Sequence, residues 1–178
     1  MRIISGKHRG RVLSAFDGKD IRPTADRAKE ALFNIYKDRF TGCRFLDLCA
    51  GSGNVGIEAL SRGAVVTMCD RSEKSVALIR KNLALIGEDC RVVLSDALSF
   101  LGSTKEVFDF IFIDPPYDSD VGERALCVIG ERKLVAAGGV VVYERDREQA
   151  VFADGLSFER ARRYGKAVFN IYTAVENV

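Results

Sequence analysis

The run Phe108-Asp109-Phe110-Ile111-Phe112-Ile113 leads directly into Asp114-Pro115-Pro116-Tyr117, and this junction constrains the chain more than any other stretch. Aromatic and β-branched residues in near-unbroken succession read as a strand buried on both faces, as in a parallel sheet. Two prolines then end it. They offer no backbone N–H to a ladder and their rings hold φ at about −65°, so the sheet stops at Asp114 and the chain leaves in a stiff turn. That turn sets a carboxylate, proline carbonyls and an aromatic ring side by side at the carboxyl end of a strand, where open α/β sheets bind their ligands. Acceptors next to a stacking face suit a planar group bearing an NH2.

From Cys43 onward, strand-like and helix-like runs alternate, which is the pattern of a parallel sheet with crossover helices. Strands are expected at 44–49, 65–69, 91–94, 108–113 and 140–144. Ser72 caps a long helix striped by Val76, Ile79, Leu83 and Ile86 and closed by Gly87. The last two runs, 157–163 and 167–174, flank Tyr164-Gly165-Lys166 and read as an antiparallel hairpin on the sheet edge. Ahead of the sheet, Pro23-Thr24 starts a helix with Ala28, Ala31, Leu32, Ile35 and Tyr36 at helical spacing. Its other face, with Arg27, Lys29 and Glu30, is expected to meet solvent or ligand. Residues 1–20 read as a small basic arm or hairpin with little core of its own, and 21–178 as one α/β domain.

Length agrees with that division, since 178 residues suit one domain. With 47% hydrophobic and 29% charged residues the chain is globular rather than disordered. A net charge of only +2 does not announce a nucleic-acid binder, but its distribution is uneven. Arg2, Lys7, Arg9, Arg11, Lys19, Arg22, Arg27 and Lys29 crowd the start against four acids, either as a solvated surface or as a phosphate-binding one. The five cysteines include no Cys-x-x-Cys pair and read as small buried hydrophobes in a reducing compartment, so no metal site is expected. No signal-peptide core or membrane-length apolar run is present, and a cytoplasmic location is expected.

A second constellation lies upstream. Asp47-Leu48-Cys49 closes a strand and runs into Ala50-Gly51-Ser52-Gly53-Asn54-Val55-Gly56, where glycines let a ligand approach backbone at a helix start. The Gly-x-Gly-x-x-Gly spacing alone is shared by many nucleotide sites and by plain turns. Asp70 ends the next strand, placed to accept ribose hydroxyls, and Asp96 follows the third, placed for an adenine amine with the Ala97 N–H beside it. Each acid taken singly also fits a cap or surface role. Together they mark the carboxyl ends of successive strands.

These ordered motifs, with Asp70-Arg71-Ser72 and Ser95-Asp96-Ala97, resemble those of Rossmann-like S-adenosylmethionine-dependent methyltransferases acting on exocyclic amines. Arg2-Ile3-Ile4-Ser5-Gly6, Arg9-Gly10-Arg11, Arg22-Pro23-Thr24-Ala25-Asp26-Arg27 and Glu30-Ala31-Leu32-Phe33-Asn34 further resemble the bacterial small-subunit ribosomal RNA guanine-N2 methyltransferase family, along nearly the whole chain. His8 and Cys49 stand where that family more often has a larger aromatic and a phenylalanine. The resemblance implies a class I methyltransferase fold, a mostly parallel seven-stranded sheet with a terminal antiparallel hairpin. It implies Asp114, Pro115, Pro116 and Tyr117 as catalytic residues, and Asp47, Ala50, Gly51, Ser52, Gly53, Asp70, Arg71, Asp96 and Ala97 as the S-adenosylmethionine site. Arg2, Lys7, His8, Arg9, Arg11, Arg22 and Arg27 are then expected to hold small-subunit ribosomal RNA, within an assembling subunit, with the protein a monomer off the membrane. Rival readings are a DNA adenine-N6 or cytosine-N4 amine methyltransferase and a noncatalytic RNA-binding protein on the same fold. A protein-glutamine methyltransferase usually carries asparagine where Asp114 stands, and a nicotinamide oxidoreductase leaves Asp-Pro-Pro-Tyr unexplained.

Overall fold

The computed structural model describes residues 1–16 and 23–175. Its elements are α1 (Pro23–Ile35), β1 (Arg44–Leu48), α2 (Asn54–Ser61), β2 (Val65–Asp70), α3 (Glu73–Ile86), β3 (Arg91–Leu94), α4 (Ala97–Ser103), β4 (Phe108–Ile113), α5 (Val121–Glu131), β5 (Val135–Arg145), β6 (Leu156–Tyr164) and β7 (Ala167–Ala174). The strands form one sheet in the order β3-β2-β1-β4-β5-β7-β6. The first five are parallel, and β7 runs antiparallel to both β5 and β6. Strand order reverses between β1 and β4, which creates a crevice at their carboxyl ends.

Both faces of the sheet are covered. Under α1, α2 and α3 lies an aromatic layer in which Phe45 and Phe110 stack at 5.1 Å between ring centroids, with Phe33 and Phe40 packed on them. Under α4 and α5, Leu46, Leu48, Ile111, Ile113, Leu126 and Val141 fill the second face. The expected helix signals act as read: Ser72 Oγ accepts from Ser75 N, and Gly87 ends α3 in the left-handed region. β5 starts earlier than expected, at Val135. Ala136-Ala137-Gly138-Gly139 has the composition of a loop, but pairing with β4 carries the strand through it across a register shift. On the outer edge β6 also carries an irregularity between Phe158 and Arg160, and Arg160, Arg162 and Arg163 are exposed along it.

The amino-terminal residues do form a hairpin, with Arg2 bridged to Val12 and backbone bonds between Ile3 and Arg11 and between Leu13 and Met1. It contributes more to the core than its sequence suggests, because Ile3 and Leu13 are buried in the α1–α3 layer. The hairpin is docked by polar groups of α2 and α3. Ile4 N and Ser5 N both donate to the Glu58 carboxylate, at 2.8 and 3.0 Å, while Ser61 Oγ donates to Ser5 O and Asn82 bonds the Ser14 backbone. Lys29 is a correction to the amphipathic reading of α1. It is 3% exposed, its ammonium held by Arg2 O at 2.8 Å and Asn54 Oδ1 at 2.7 Å, with Glu58 at 3.5 Å. The hairpin closes over a side chain that helical spacing alone assigns to solvent or ligand.

Two outcomes follow from this packing. Phe45→Ala removes the centre of the aromatic layer and should cost about 3–5 kcal/mol in denaturant unfolding. Gly6 has φ +83°, and a Cβ there would lie 1.9 Å from Ser61 O. Gly6→Ala should therefore undock the hairpin, read as faster tryptic cleavage after Lys7 and Arg9, with a smaller loss of global stability than Phe45→Ala.

Candidate active site

The carboxyl ends of the central strands open onto two cavities that share a wall. One, of about 460 Å³, is lined by Asp70, Arg71, Ser72, Asp96 and Ala97 on one side and by Asp114 to Tyr117 on the other. The second, of about 490 Å³, is lined by Asp47, Ala50, Gly51 and Ser52, by Met1, Phe16 and Lys29, and by Phe112, Glu144 and Phe169. Cys49, Asp114 and Tyr117 border both. Of the residues expected to bind the cofactor, only Gly53 lines neither cavity. It stands behind the loop at φ +79°, and its N–H donates to Ala50 O.

The loop is shaped by the acids around it. Asp47 is buried and accepts from Gly56 N at 2.8 Å, which ties the end of β1 to the first turn of α2. Asp70 bridges two turns, accepting from Gly51 N and Ser72 N, each at 2.8 Å, and each oxygen retains a lone pair. Asp96 caps α4 through Oδ1, leaving Oδ2 without a hydrogen bond among the described residues. Cys49 holds φ +67° between them, a conformation that costs a non-glycine residue about 1–3 kcal/mol and is typical of ligand sites. Burial pushes the Cys49 and Cys69 thiols up to about 12, so both act as neutral, small apolar wall groups.

The proline turn is braced from behind. Ser119 donates to the Pro116 carbonyl from both N and Oγ, so of the two proline carbonyls only that of Pro115 lacks a partner among the described residues. Arg145 Nη2 donates to Tyr117 O at 3.1 Å, and the Arg145 guanidinium, itself buried, is anchored on Glu123 and Gln149. β4–β5 register pairs Ile113 with Tyr143 and so sets Asp114 level with Glu144. The Tyr117 hydroxyl donates to Glu144 Oε1 at 3.2 Å. Glu144 is the functional candidate that sequence reasoning passed over. It carries the same signal as Asp114, an acid directly after an apolar strand.

The expected RNA-binding residues are dispersed. Arg2, Lys7, Arg9, Arg11 and Arg27 are exposed. Lys7 Nζ and His8 Nε2 both meet Glu88 Oε1, at 2.6 and 2.7 Å, and Arg11 Nη2 donates to Leu85 O at 3.2 Å, which spends part of the arm's charge on the end of α3. The sole histidine thus has an acid beside it, one that lies 80 residues away in sequence. Arg22 lies outside the described residues.

Crowding of carboxylates governs the electrostatics. Asp114 is exposed to the cleft, yet the protein packed around it displaces part of its hydration, and this desolvation raises it well above the usual carboxylate range, with Glu144 and Asp47 adding repulsion. Glu144 is raised to about 7 by burial, against the pull of the Tyr117 hydrogen bond. Asp47 is likewise raised to about 7 by burial, opposed by the Gly56 N–H. Asp114 and Glu144 are thus both raised, and each carboxylate makes the other harder to ionise.

A carboxylate whose folded pKa is raised stabilises the fold relatively more when protonated, and that contribution is lost as pH rises from its ordinary 4.5 through about 7. Glu144→Gln should therefore melt higher than wild type at pH 8, by about 1–3 kcal/mol in stability, with the gap closing below pH 4.5. Turnover that needs Glu144 ionised should fall as pH drops through about 7, read as kcat/KM against pH.

Comparison with known proteins places this geometry in a lineage. A family model described as Conserved hypothetical protein 95 matches residues 1–173. YlbH of Bacillus subtilis is 37% identical over 180 residues, covering 97% of this chain and 98% of that one. Ribosomal RNA small subunit methyltransferase D of Escherichia coli is 33% identical over 177 residues, covering 97% and 89%. The solved structure of yhhF from Escherichia coli superposes with a TM-score of 0.86 at 32% identity over 98% of this chain and 97% of that one. With a match over nearly its whole length, a class I methyltransferase fold and the cleft described above, the chain belongs to the Conserved hypothetical protein 95 family, that of ribosomal RNA small subunit methyltransferase D.

Proposed function

We propose that the protein transfers a methyl group from S-adenosylmethionine to the exocyclic N2 amine of a guanine in small-subunit ribosomal RNA. The observation that carries this reading is the position of Asp114, the unpartnered Pro115 carbonyl and Tyr117 at the shared wall of two cavities. The donor set fits the cofactor. Asp70 would take the ribose hydroxyls and Asp96, through its spare oxygen, the adenine amine, with Arg71 and Ala97 alongside. Asp47, Ala50, Gly51, Ser52 and Gly53 would hold the methionine end. When bound, S-adenosylmethionine supplies a methyl on a sulfonium, already a good leaving group.

What remains for the chain is positioning and the handling of one proton. A guanine amine is a poor nucleophile because its lone pair is delocalised into the ring. Asp114 and the Pro115 carbonyl accept its two hydrogens and favour the pyramidal form, in which the lone pair is released, while Tyr117 stacks on the base. Asp114 then takes the proton, directly or through water. Since this amine is hidden in a paired helix, the target is an unpaired or flipped nucleotide.

Arg2, Lys7, His8, Arg9, Arg11, Arg22 and Arg27 contribute contacts to phosphate, which makes binding sensitive to salt and poor in sequence reading. So small an arm reads limited shape, which favours an assembling subunit over bare RNA as substrate, with the enzyme acting as a cytoplasmic monomer. Among the described residues no helix is long and apolar enough to cross a membrane.

Incubation with methyl-labelled S-adenosylmethionine and, separately, unmodified small subunits, their bare RNA, duplex DNA and bulk protein tests the reading. Label recovered as N2-methylguanosine from ribosomal RNA is expected, and label in DNA or protein refutes it. Asp114→Ala should lower kcat by at least about a hundredfold with cofactor affinity unchanged; full turnover would remove Asp114 from the chemistry.

A further inference from the structure

We propose that Glu144 accepts the ring N1–H of the target guanine and so sets which base is methylated, an inference that rests on the guanine-amine reading above. Asp114, the prolines and Tyr117 suit any planar amine, and nothing in them prefers guanine. The preference has to come from the ring atom next to the amine. In guanine the amine lies between N1, which carries a hydrogen, and N3, which is bare, whereas adenine and cytosine have only a bare acceptor nitrogen beside theirs. A carboxylate at this place bonds the first and repels the lone pair of the others.

Glu144 is in position for it. Neighbouring strands lie about 4.8 Å apart, and register sets Glu144 level with Asp114 across the β4–β5 pair. Both line the same cavity, together with Phe112 and Phe169. With the amine held by Asp114 and Pro115, the adjacent ring N–H falls toward the next acceptor along the strand ends. One Glu144 oxygen already takes the Tyr117 hydroxyl at 3.2 Å, and Oε2 has no hydrogen-bond partner among the described residues. Tyr117 is in turn held through its carbonyl by Arg145. The stacking ring and the reading carboxylate are thus braced as one unit, as base recognition demands. A purely structural wall would not set a second carboxylate against Asp114, where the two repel.

The test separates this inference from the reading beneath it. Wild-type protein is first used to map the labelled nucleotide in unmodified small-subunit RNA, and that position is then replaced by 2-aminopurine through splinted ligation. This base keeps the amine but has an acceptor at N1. Wild type should prefer guanine in kcat/KM by about ten- to a hundredfold. Glu144→Gln, whose amide can donate as well as accept, should lower the rate on guanine and bring the ratio close to one, with cofactor binding and melting showing that it is folded. A loss merely of structure would lower both rates together and keep the ratio, and that result overturns the proposal. A wild type that methylates both bases equally overturns it too, but leaves the guanine-amine reading standing. No N2-methylguanosine from wild type at all overturns both.

Discussion

One buried carboxylate holds the working parts in relation. Glu58, on α2 and fully buried, accepts from Ile4 N and Ser5 N of the hairpin and from Arg62 Nε, and lies 3.5 Å from the Lys29 ammonium of α1. An acid so placed is stable only while its partners stay, because losing one leaves an uncompensated charge in a dry site at a cost of about 3–5 kcal/mol. Hairpin, α1 and α2 are therefore locked together. Since α2 starts at the glycine loop and Lys29 and Met1 line the second cavity, the same lock sets that cavity's width.

The cleft itself spends stability on function. Asp47, Asp70, Asp114 and Glu144 stand within one crevice, and three of them are raised by burial, with repulsion added at Asp47 and Asp114. Such crowding disfavours the empty fold but presents acceptors whose desolvation a donor-rich ligand relieves. The brace behind the proline turn, from Arg145 to Tyr117 and from Ser119 to Pro116, keeps the acceptors from relaxing apart.

What could be read from sequence was what neighbours in sequence decide. Asp114-Pro115-Pro116-Tyr117 ends its strand by proline chemistry alone, Ser72 and Gly87 bound α3 by local capping, and the glycine loop follows β1 through its own backbone demands. What escaped depends on register and on distant packing. Glu144 matters only because β5 pairs with β4 one residue short of it, His8 meets Glu88 across 80 positions, and Lys29 is buried by a hairpin that helical periodicity does not see. The early part of β5 was hidden for a similar reason, since Ala136 to Gly139 are inserted at the register shift and only the pairing of Val135 and Val140 on either side keeps them in the strand.

The two borders of the sheet differ in how they meet the outside. β3 is four residues long and closes one side, with Arg91 paired to Glu106. β6 is the long free border, and it bears a local irregularity and three exposed arginines. A strand approaching β6 from another copy would have to bring its own arginines beside these and to match a kinked ladder. Like charge and broken periodicity together make the sheet end where the molecule ends, so crowding or partial heating should not seed chain-to-chain growth from this border.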